Sequence, residues 1–285
     1  MIIRILRHHF FKIKLTLLFA IASLVINGSP LNEDSLNFEI LLTNKMLNNI
    51  PVNDTFINSL EITSNRFILL STNHQFYLLG WGGITPFGKK LEGNISSYVF
   101  TPDNFLLTVK DKEICSFDTL GKLTKLFTLP NKGMQLCSGK DVIYVYENDP
   151  LSAKHALYVI AKGAQYAKLF DVPKPILAVA EMKDSILFAS ENGLFSFNLV
   201  NKELKALVAL PKNEEIRSIS VNPANNSIYF STINSVYALK GSAAISVTKE
   251  FGGTLRIFKD GLIIFNSEKN FLIRILRIED KVIEK

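Results

Sequence analysis

The sequence is poor in the residues that build most catalytic and metal centres. Its 285 residues include only two cysteines and four histidines, and two of the histidines, His8 and His9, lie close to the N-terminus. The remaining pair, His74 and His155, is too small a set for a histidine-rich zinc site or a Ser-His-Asp triad. Neither HExxH nor GxSxG occurs, and the glycines after Gly80 are not followed by the Lys-Ser/Thr of a phosphate-binding loop. These shortages predict a chain without catalytic machinery.

Two further shortages exclude whole classes of protein. The cysteines, Cys115 and Cys137, are too few for a disulfide framework. They could pair in an exported protein, but we expect two buried free thiols. Lysine and arginine are scattered, without the clustered stripe of a nucleic-acid binder, so we exclude nucleic acid as a partner. The formal charge of +6 falls to +2 once residues 1–28 are set aside, because 28 basic and 26 acidic residues remain.

The N-terminus has the pattern of a signal peptide. A basic head precedes the apolar run Leu15–Ile26, which is short for a membrane span but suits a signal-peptide core, with cleavage near Gly28. We therefore predict a signal peptide at 1–28, a linker at 29–37, and export to the periplasm or the extracellular space. After signal removal we expect no membrane span. An uncleaved N-terminal anchor is the alternative.

The remaining sequence consists of one pattern used six times. Residues 216–240, IRSISVNPANNSIYFSTINSVYALK, predict three short strands, with an Asn-Pro turn between the first two. Similar pairs of apolar strands start at six positions, 34 to 44 residues apart: Phe67, Phe105, Val142, Ile186, Ile228 and Leu262. A further strand precedes each pair and a fourth closes most units. Four strands in about 40 residues is the requirement of a β-propeller blade.

The two ends of the repeat region complement each other. The sixth unit ends after its third strand, whereas an extra apolar strand, Phe38–Thr43, precedes the first unit. A strand from the N-terminus can complete the last blade and remove an exposed edge. We therefore predict an all-β, six-bladed β-propeller of four-stranded antiparallel blades over residues 38–285. Its closing strand lies within 38–50, and its blades lie near 56–94, 95–133, 134–175, 176–215, 216–252 and 253–278.

Residues 57–278 resemble the broad group of NHL-repeat, strictosidine-synthase-like and gluconolactonase-like propellers. The segment SISVNPANNSIYFST carries the resemblance, through its strand, Asn-Pro turn and strand. The resemblance implies the fold, which hosts many activities. Proteins resembling gluconolactonase hold a central divalent cation with Glu, Asn and Asp. The nearest residue types here are Glu61, Asn73, Glu181 and Asn234, but the Asp-rich signature is absent.

Candidate binding residues lie on the rim loops and the inner strands. The longest loop, Glu147–Ala156, accounts for the 44-residue spacing, and long loops on rigid scaffolds often bind ligands, although such insertions are also cheap. Two inner-strand arginines could attract an anionic group near the channel mouth. The full set of candidate ligand-binding residues is Asn73, His74, Asp149, His155, Glu191, Asn192, Arg217, Asn234 and Arg256.

We therefore predict an exported, non-catalytic binding or protein-interaction module that needs no cofactor. Its rim would bind a protein, a glycan or a small ligand. The alternative is a lactonase-like hydrolase that holds calcium or another divalent cation at the central channel through Glu61, Glu181 and Asn234. A quinone-dependent dehydrogenase would need several convergent Arg and His residues, which the sequence does not offer.

Overall fold

The computed structural model describes most of the chain from residue 37 onward. The predicted signal peptide at 1–28 and residues 29–36 of the predicted linker lie outside the described residues. The described residues are 37–42, 46, 50, 57–63, 66–80, 83–91, 95–101, 103, 105–118, 122–152, 154–161, 166–269 and 271–278.

The described residues form 24 strands arranged in six four-stranded antiparallel sheets. In chain order the strands are β1 (Phe38–Ile40), β2 (Ser59–Ile62), β3 (Ile68–Ser71), β4 (Phe76–Gly80), β5 (Gly83–Phe87), β6 (Ile95–Phe100), β7 (Leu106–Lys110), β8 (Glu113–Phe117), β9 (Leu123–Thr128), β10 (Gln135–Ser138), β11 (Val142–Tyr146), β12 (His155–Ala161), β13 (Tyr166–Val172), β14 (Ala178–Met182), β15 (Ser185–Ser190), β16 (Gly193–Asn198), β17 (Leu204–Ala209), β18 (Ser218–Val221), β19 (Ile228–Ser231), β20 (Val236–Lys240), β21 (Ala243–Thr248), β22 (Thr254–Phe258), β23 (Gly261–Asn266) and β24 (Phe271–Ile275).

The six sheets are the blades of a propeller, which confirms the predicted fold. Blades 1 to 5 are β2–β5, β6–β9, β10–β13, β14–β17 and β18–β21, each in sequence order from the inner strand outward. Blade 6 is β22–β23–β24 and takes β1 as its outer strand. Phe38 lies opposite Ile275 and Ile40 opposite Ile273. The N-terminal strand therefore closes the ring, as the surplus strand in the sequence predicts.

Strand composition follows the position of each strand within its blade. The second strands β3 (ILLS), β19 (IYFS) and β23 (GLIIFN) are buried along their whole length, because other blades pack on both of their faces. The outer strand β9 is half-buried or exposed at every residue and carries polar side chains. Blade 2 thus has a buried apolar middle and an outer edge in contact with solvent.

The core is divided into six apolar clusters, one between each pair of neighbouring blades. The cluster between blades 4 and 5 contains Ala178, Ala180 and Ile219, whereas that between blades 6 and 1 also contains Leu42 and Ile50 from the N-terminal segment. The other four clusters fill the remaining blade-to-blade contacts, here called seams. Apolar burial of this kind provides most of the stabilisation of such a ring.

The two ends of the ring differ in the loops that they carry. The inner-turn face carries the turns between the first and second strands of each blade. The loop rim carries the turns between the second and third strands, together with the connections between blades. On the loop rim the turns bind the connections: the carbonyls of His74, Glu147 and Glu191 accept hydrogen bonds from Leu91 N, Ile176 N and Ile216 N. None of the described residues belongs to a helix long and apolar enough to cross a membrane.

Candidate functional site

The inner strands of the six blades surround a central cavity of about 930 Å³. The cavity reaches from residues near the loop rim, such as Asn148 and Arg217, to residues of the inner-turn face, such as Lys140 and Asp184. Inner strands pair with a neighbour on one side only, so their other edge presents backbone N–H and C=O groups to the cavity. The channel is therefore polar along its wall and large enough for a small molecule.

An ion pair joins blades 6 and 1 inside this channel. Arg256 on β22 donates from Nη2 to Oε1 of Glu61 on β2, and its Nη1 donates to the carbonyl of Leu255 at 2.7 Å. The two side chains are 29% and 15% exposed. Burial acts to lower the pKa of Arg256, but the carboxylate of Glu61 outweighs it and the net pKa is raised. The guanidinium therefore stays charged. It has five N–H donors, so further donors remain for a ligand.

Three neutral groups surround this pair. The hydroxyl of Tyr98 donates to Leu69 O at 3.1 Å, and burial raises its pKa. Burial also raises the pKa of Tyr146, and it raises the pKa of the Cys137 thiol to about 12. Only a thiolate is a good nucleophile, and the raised pKa keeps Cys137 in its thiol form near neutral pH. Its Sγ donates to the carbonyl of Val179 in blade 4, at 3.1 Å.

A second carboxylate is held on the other side of the channel. Oε2 of Glu181, on β14, accepts a hydrogen bond from the backbone N of Lys140 in blade 3, at 2.6 Å. The approach depends on Gly139, because a Cβ there would collide with Glu181 Oε2 and lie 2.8 Å from a ring carbon of Tyr144. A carboxylate held by a backbone donor is a fixed hydrogen-bond acceptor.

The structure brings four of the predicted site residues together and leaves the others apart. Glu61, Glu181, Arg217 and Arg256 all line the cavity. Arg217 is exposed and pairs with Glu215 at 2.6 Å. The other candidates lie away from the cavity wall, on or beside the loop-rim turns between second and third strands: Asn73, His74, Asp149, His155, Glu191, Asn192 and Asn234.

Several of the rim candidates take part in the hydrogen bonding of their own loops. Asn192 donates from Nδ2 to Leu210 O, and its own carbonyl accepts Leu210 N at 2.8 Å. The backbone N of Asn234 donates to Thr232 Oγ1 at 3.3 Å, as part of a tight turn. Asn73 Oδ1 accepts from Asn58 Nδ2. These contacts hold the loop-rim turns in place. The channel is therefore a better-formed candidate binding site than the loop rim.

The long loop Glu147–Ala156 contains a buried polar cluster. Glu147 accepts hydrogen bonds from Asn131 Nδ2 and from Ala156 N, the latter at 3.0 Å, while Asp149 Oδ1 accepts Leu151 N at 2.9 Å. His155 is 3% exposed, and burial lowers its pKa even though Glu147 and Asp149 act in the opposite direction. The cluster fastens the loop to its own blade and to the preceding connection.

Sequence reasoning missed Tyr98, Cys137 and Tyr146 as parts of the site, because an aromatic or cysteine on an apolar strand has the pattern of a core residue. Their position in the repeat could have identified two of them, because Tyr98 and Cys137 lie on strands that the repeat pattern places innermost, beside the channel. Among the described residues, no group of three or more His, Cys, Asp or Glu side chains is arranged to hold a metal ion.

Many solved structures share the fold of this chain. No protein-family model and no curated protein matches the chain. A structural-genomics target described as a candidate gluconolactonase superposes with a TM-score of 0.66 at 10% identity, covering 88% of this chain and 97% of its own. A gluconolactonase from Xanthomonas campestris gives 0.63 at 10% identity, covering 89% and 99%. An extracellular domain of a one-component system from B. thetaiotaomicron gives 0.56 at 12% identity, covering 84% and 40%.

At these identities the similarity shows the six-bladed fold alone. It agrees with the resemblance to gluconolactonase-like propellers that the repeat pattern indicates. An extracellular domain among the structural neighbours is compatible with export.

Proposed function

We propose that the central channel binds a neutral, polyhydroxylated small molecule, a sugar or a sugar lactone. The observation that supports this is the Arg256–Glu61 pair inside the 930 Å³ cavity. The pair offers a donor and an acceptor side by side, which suits the neighbouring hydroxyls of a sugar. Its net charge is zero, so the pair gives no net attraction to either an anion or a cation.

Hydrolysis of a sugar lactone is the second candidate function. Two of the structural neighbours are described as gluconolactonases, which favours this activity over an inert interaction module. Glu181 supplies a fixed carboxylate across the channel that could accept a proton from water, and Arg256 supplies donors for the oxygen that gains charge during attack on the lactone carbonyl.

The residues present do not suit the divalent cation that gluconolactonase-like proteins hold. Glu61 is bound to a guanidinium, Glu181 is bound by a backbone N–H, and Asn234 lies on the loop rim, outside the cavity wall. A cation at Glu61 would have to displace Arg256 from its carboxylate. We therefore derive no step through a metal ion.

The proposal also places the ligand outside the cytoplasm. Its support is the basic head and apolar run of residues 1–28, together with the extracellular neighbour. The exported protein would then meet sugars or their lactones in the periplasm or the extracellular space.

Calorimetric titration of the exported protein with neutral monosaccharides and 1,5-lactones, in EDTA, tests the binding. We expect binding that Glu61→Gln and Arg256→Met each abolish. The matched control is Glu113→Gln with Lys125→Met, which removes an exposed ion pair of the outer part of blade 2 and should leave binding unchanged. Failure of all neutral sugars and lactones to bind would overturn the proposal.

Lactone hydrolysis is followed separately by the release of acid in a pH-stat. Turnover in EDTA that Glu181→Gln removes would support hydrolysis by the residues of the chain. Turnover that appears only with added calcium would show that the channel holds a catalytic cation. Binding without turnover in either condition would leave a binding protein.

A further inference from the structure

Two exposed phenylalanines occupy equivalent positions on neighbouring blades. Phe67 and Phe105, 55% and 63% exposed, each stand immediately before the second strand of blades 1 and 2. In the other four blades the residue at this place is polar: Asp141, Asp184, Ser227 and Asp260. Large exposed aromatic side chains at this position are therefore confined to one side of the inner-turn face.

Phe67 and Phe105 end turns with the same hydrogen-bonding pattern, one in each blade. In blade 1, Phe67 N donates to Thr63 Oγ1 at 3.0 Å and Thr63 N donates to Phe67 O at 2.9 Å. In blade 2, Thr101 makes the identical pair of bonds with Phe105, again at 3.0 and 2.9 Å. A hydrogen-bonded turn holds the backbone of each ring in place, which reduces the entropy that a partner must overcome on binding.

We propose that Phe67 and Phe105 form a stacking platform for the outer units of a neutral oligosaccharide whose terminal unit lies in the channel. This inference rests on the proposed function of the channel. The cavity reaches the inner-turn face, where Lys140, Lys183 and Asp184 contribute to its wall, so a chain leaving the channel emerges on the face that carries the two rings.

The chemistry of the platform selects a neutral sugar chain. The C–H face of a pyranose packs well on an aromatic ring, while its hydroxyls remain in water. The nearest charged residues in the two turns are Arg66 and Asp103, one of each sign, so the platform has no charge preference for an anionic or cationic partner. An aromatic pair on the face where the channel opens would extend a sugar-binding site.

The test is the dependence of affinity on chain length. Calorimetry would compare glucose with cellobiose to cellohexaose, and in parallel with the maltose and mannose series, on the exported protein. We expect affinity to rise by about tenfold between one and three units in at least one series, because the second and third units add contacts with the two rings. In the double variant Phe67→Ala/Phe105→Ala this rise should shrink to within twofold.

Controls separate the platform from the channel and from general apolar exposure. Leu151→Ala/Val200→Ala removes two side chains that are 91% and 78% exposed elsewhere, and it should keep the full rise. Arg256→Met should abolish binding at every length. Binding of a single unit without any rise would overturn the platform and leave the proposed function standing, whereas no binding at any length would overturn the channel proposal itself. Analytical ultracentrifugation could instead show that the wild type self-associates and that the double phenylalanine variant does not. The rings would then form a contact between copies of the chain, and the proposed platform would be wrong.

Discussion

Two seams of the ring are built from opposite chemistry, although they do the same structural work. The seam between blades 4 and 5 brings together small and branched apolar side chains, among them Ala178, Ala180 and Ile219. The seam between blades 6 and 1 adds a partly buried ion pair, Arg256–Glu61, to its apolar cluster.

The difference shows which polar groups the fold needs. Apolar packing provides most of the contact between blades 4 and 5, where the hydroxyl of Tyr237 also donates to Glu214, in the connection between these blades, at 2.7 Å. A buried ion pair is a poor stabiliser, because the loss of hydration offsets much of the attraction between the charges. The pair at blades 6 and 1 is therefore better explained by a role in the channel than by closure of the ring. The seam between blades 3 and 4 is similar, since Glu181 and Cys137 make polar contacts across it.

The largest expected effect on stability comes from the closing strand. The seam between blades 6 and 1 depends on this strand, whereas the seam between blades 4 and 5 does not contain it. Deleting residues 37–42 removes β1 from the edge of β24 and removes Leu42, which is 5% exposed. We expect the free energy of unfolding to fall by more than the roughly 2–5 kcal/mol that one buried leucine contributes. Urea denaturation, with a chain that starts at residue 37 as the reference, measures it. An unchanged midpoint would mean that β1 does not hold the ring closed.

The second prediction converts the polar seam into an apolar one. Arg256→Met leaves Glu61 without its partner and should cost about 1–3 kcal/mol, less than a fully buried pair because both side chains are partly exposed. Adding Glu61→Leu removes the orphaned carboxylate, so the double variant should regain most of that stability while binding of sugars stays lost. A double variant as unstable as the single one would show that the pair is structural.

The third prediction concerns the polar contact at blades 3 and 4. Gly139→Ala places a methyl group against Oε2 of Glu181 and so displaces it from Lys140 N. Loss of a hydrogen bond to a charged group should cost about 1–3 kcal/mol. The matched control is Gly80→Ala, where the nearest atom lies 4.0 Å from the added carbon. Equal midpoints for the two variants in urea would remove the case for a fixed carboxylate.

The fourth prediction concerns Cys137, in the same seam. Because burial raises the pKa of its thiol to about 12, we expect Cys137 to react much more slowly with a thiol reagent at pH 8 in the folded protein than in urea. Cys137→Ala removes the bond to Val179 O and should cost about 0.5–1.5 kcal/mol. Labelling of Cys137 as fast in the native state as in urea, monitored by peptide mass spectrometry, would contradict the raised pKa of this thiol.

The fold was predictable because each blade repeats the same local instructions. The predicted start of the second strand lies within one residue of the observed start in all six blades, as with Phe105 for Leu106 and Val142 for Val142. Alternating apolar residues and Asn, Pro and Asp turns act over short distances, so a single sequence reveals them.

The site was predictable only in part, because its contacts depend on closure of the ring. Arg256 and Glu61 are 195 residues apart, and they meet only because the last blade packs on the first. The predicted rim residues have the opposite difficulty. A short polar side chain such as Asn192 is as suited to bonding its own loop as to binding a ligand, and here it donates to Leu210 O. Sequence alone does not separate these two uses.

The smallest expected effect lies at the loop-rim end of the seam between blades 3 and 4, where His155 is buried. Burial lowers its pKa from the ordinary value of 6.5, and Lys174 acts in the same direction, while Glu147 and Asp149 oppose the shift without cancelling it. The unfolded chain therefore binds this proton more readily than the folded one. The contribution of neutral His155 to the free energy of unfolding is therefore fully present above pH 6.5, and it decreases as the pH falls below that value. Thermal unfolding from pH 7.5 to 5 should show a steeper loss for the wild type than for His155→Gln. Parallel curves would mean that the histidine titrates alike in both states, and the buried histidine would then not distinguish this seam from the seam between blades 4 and 5.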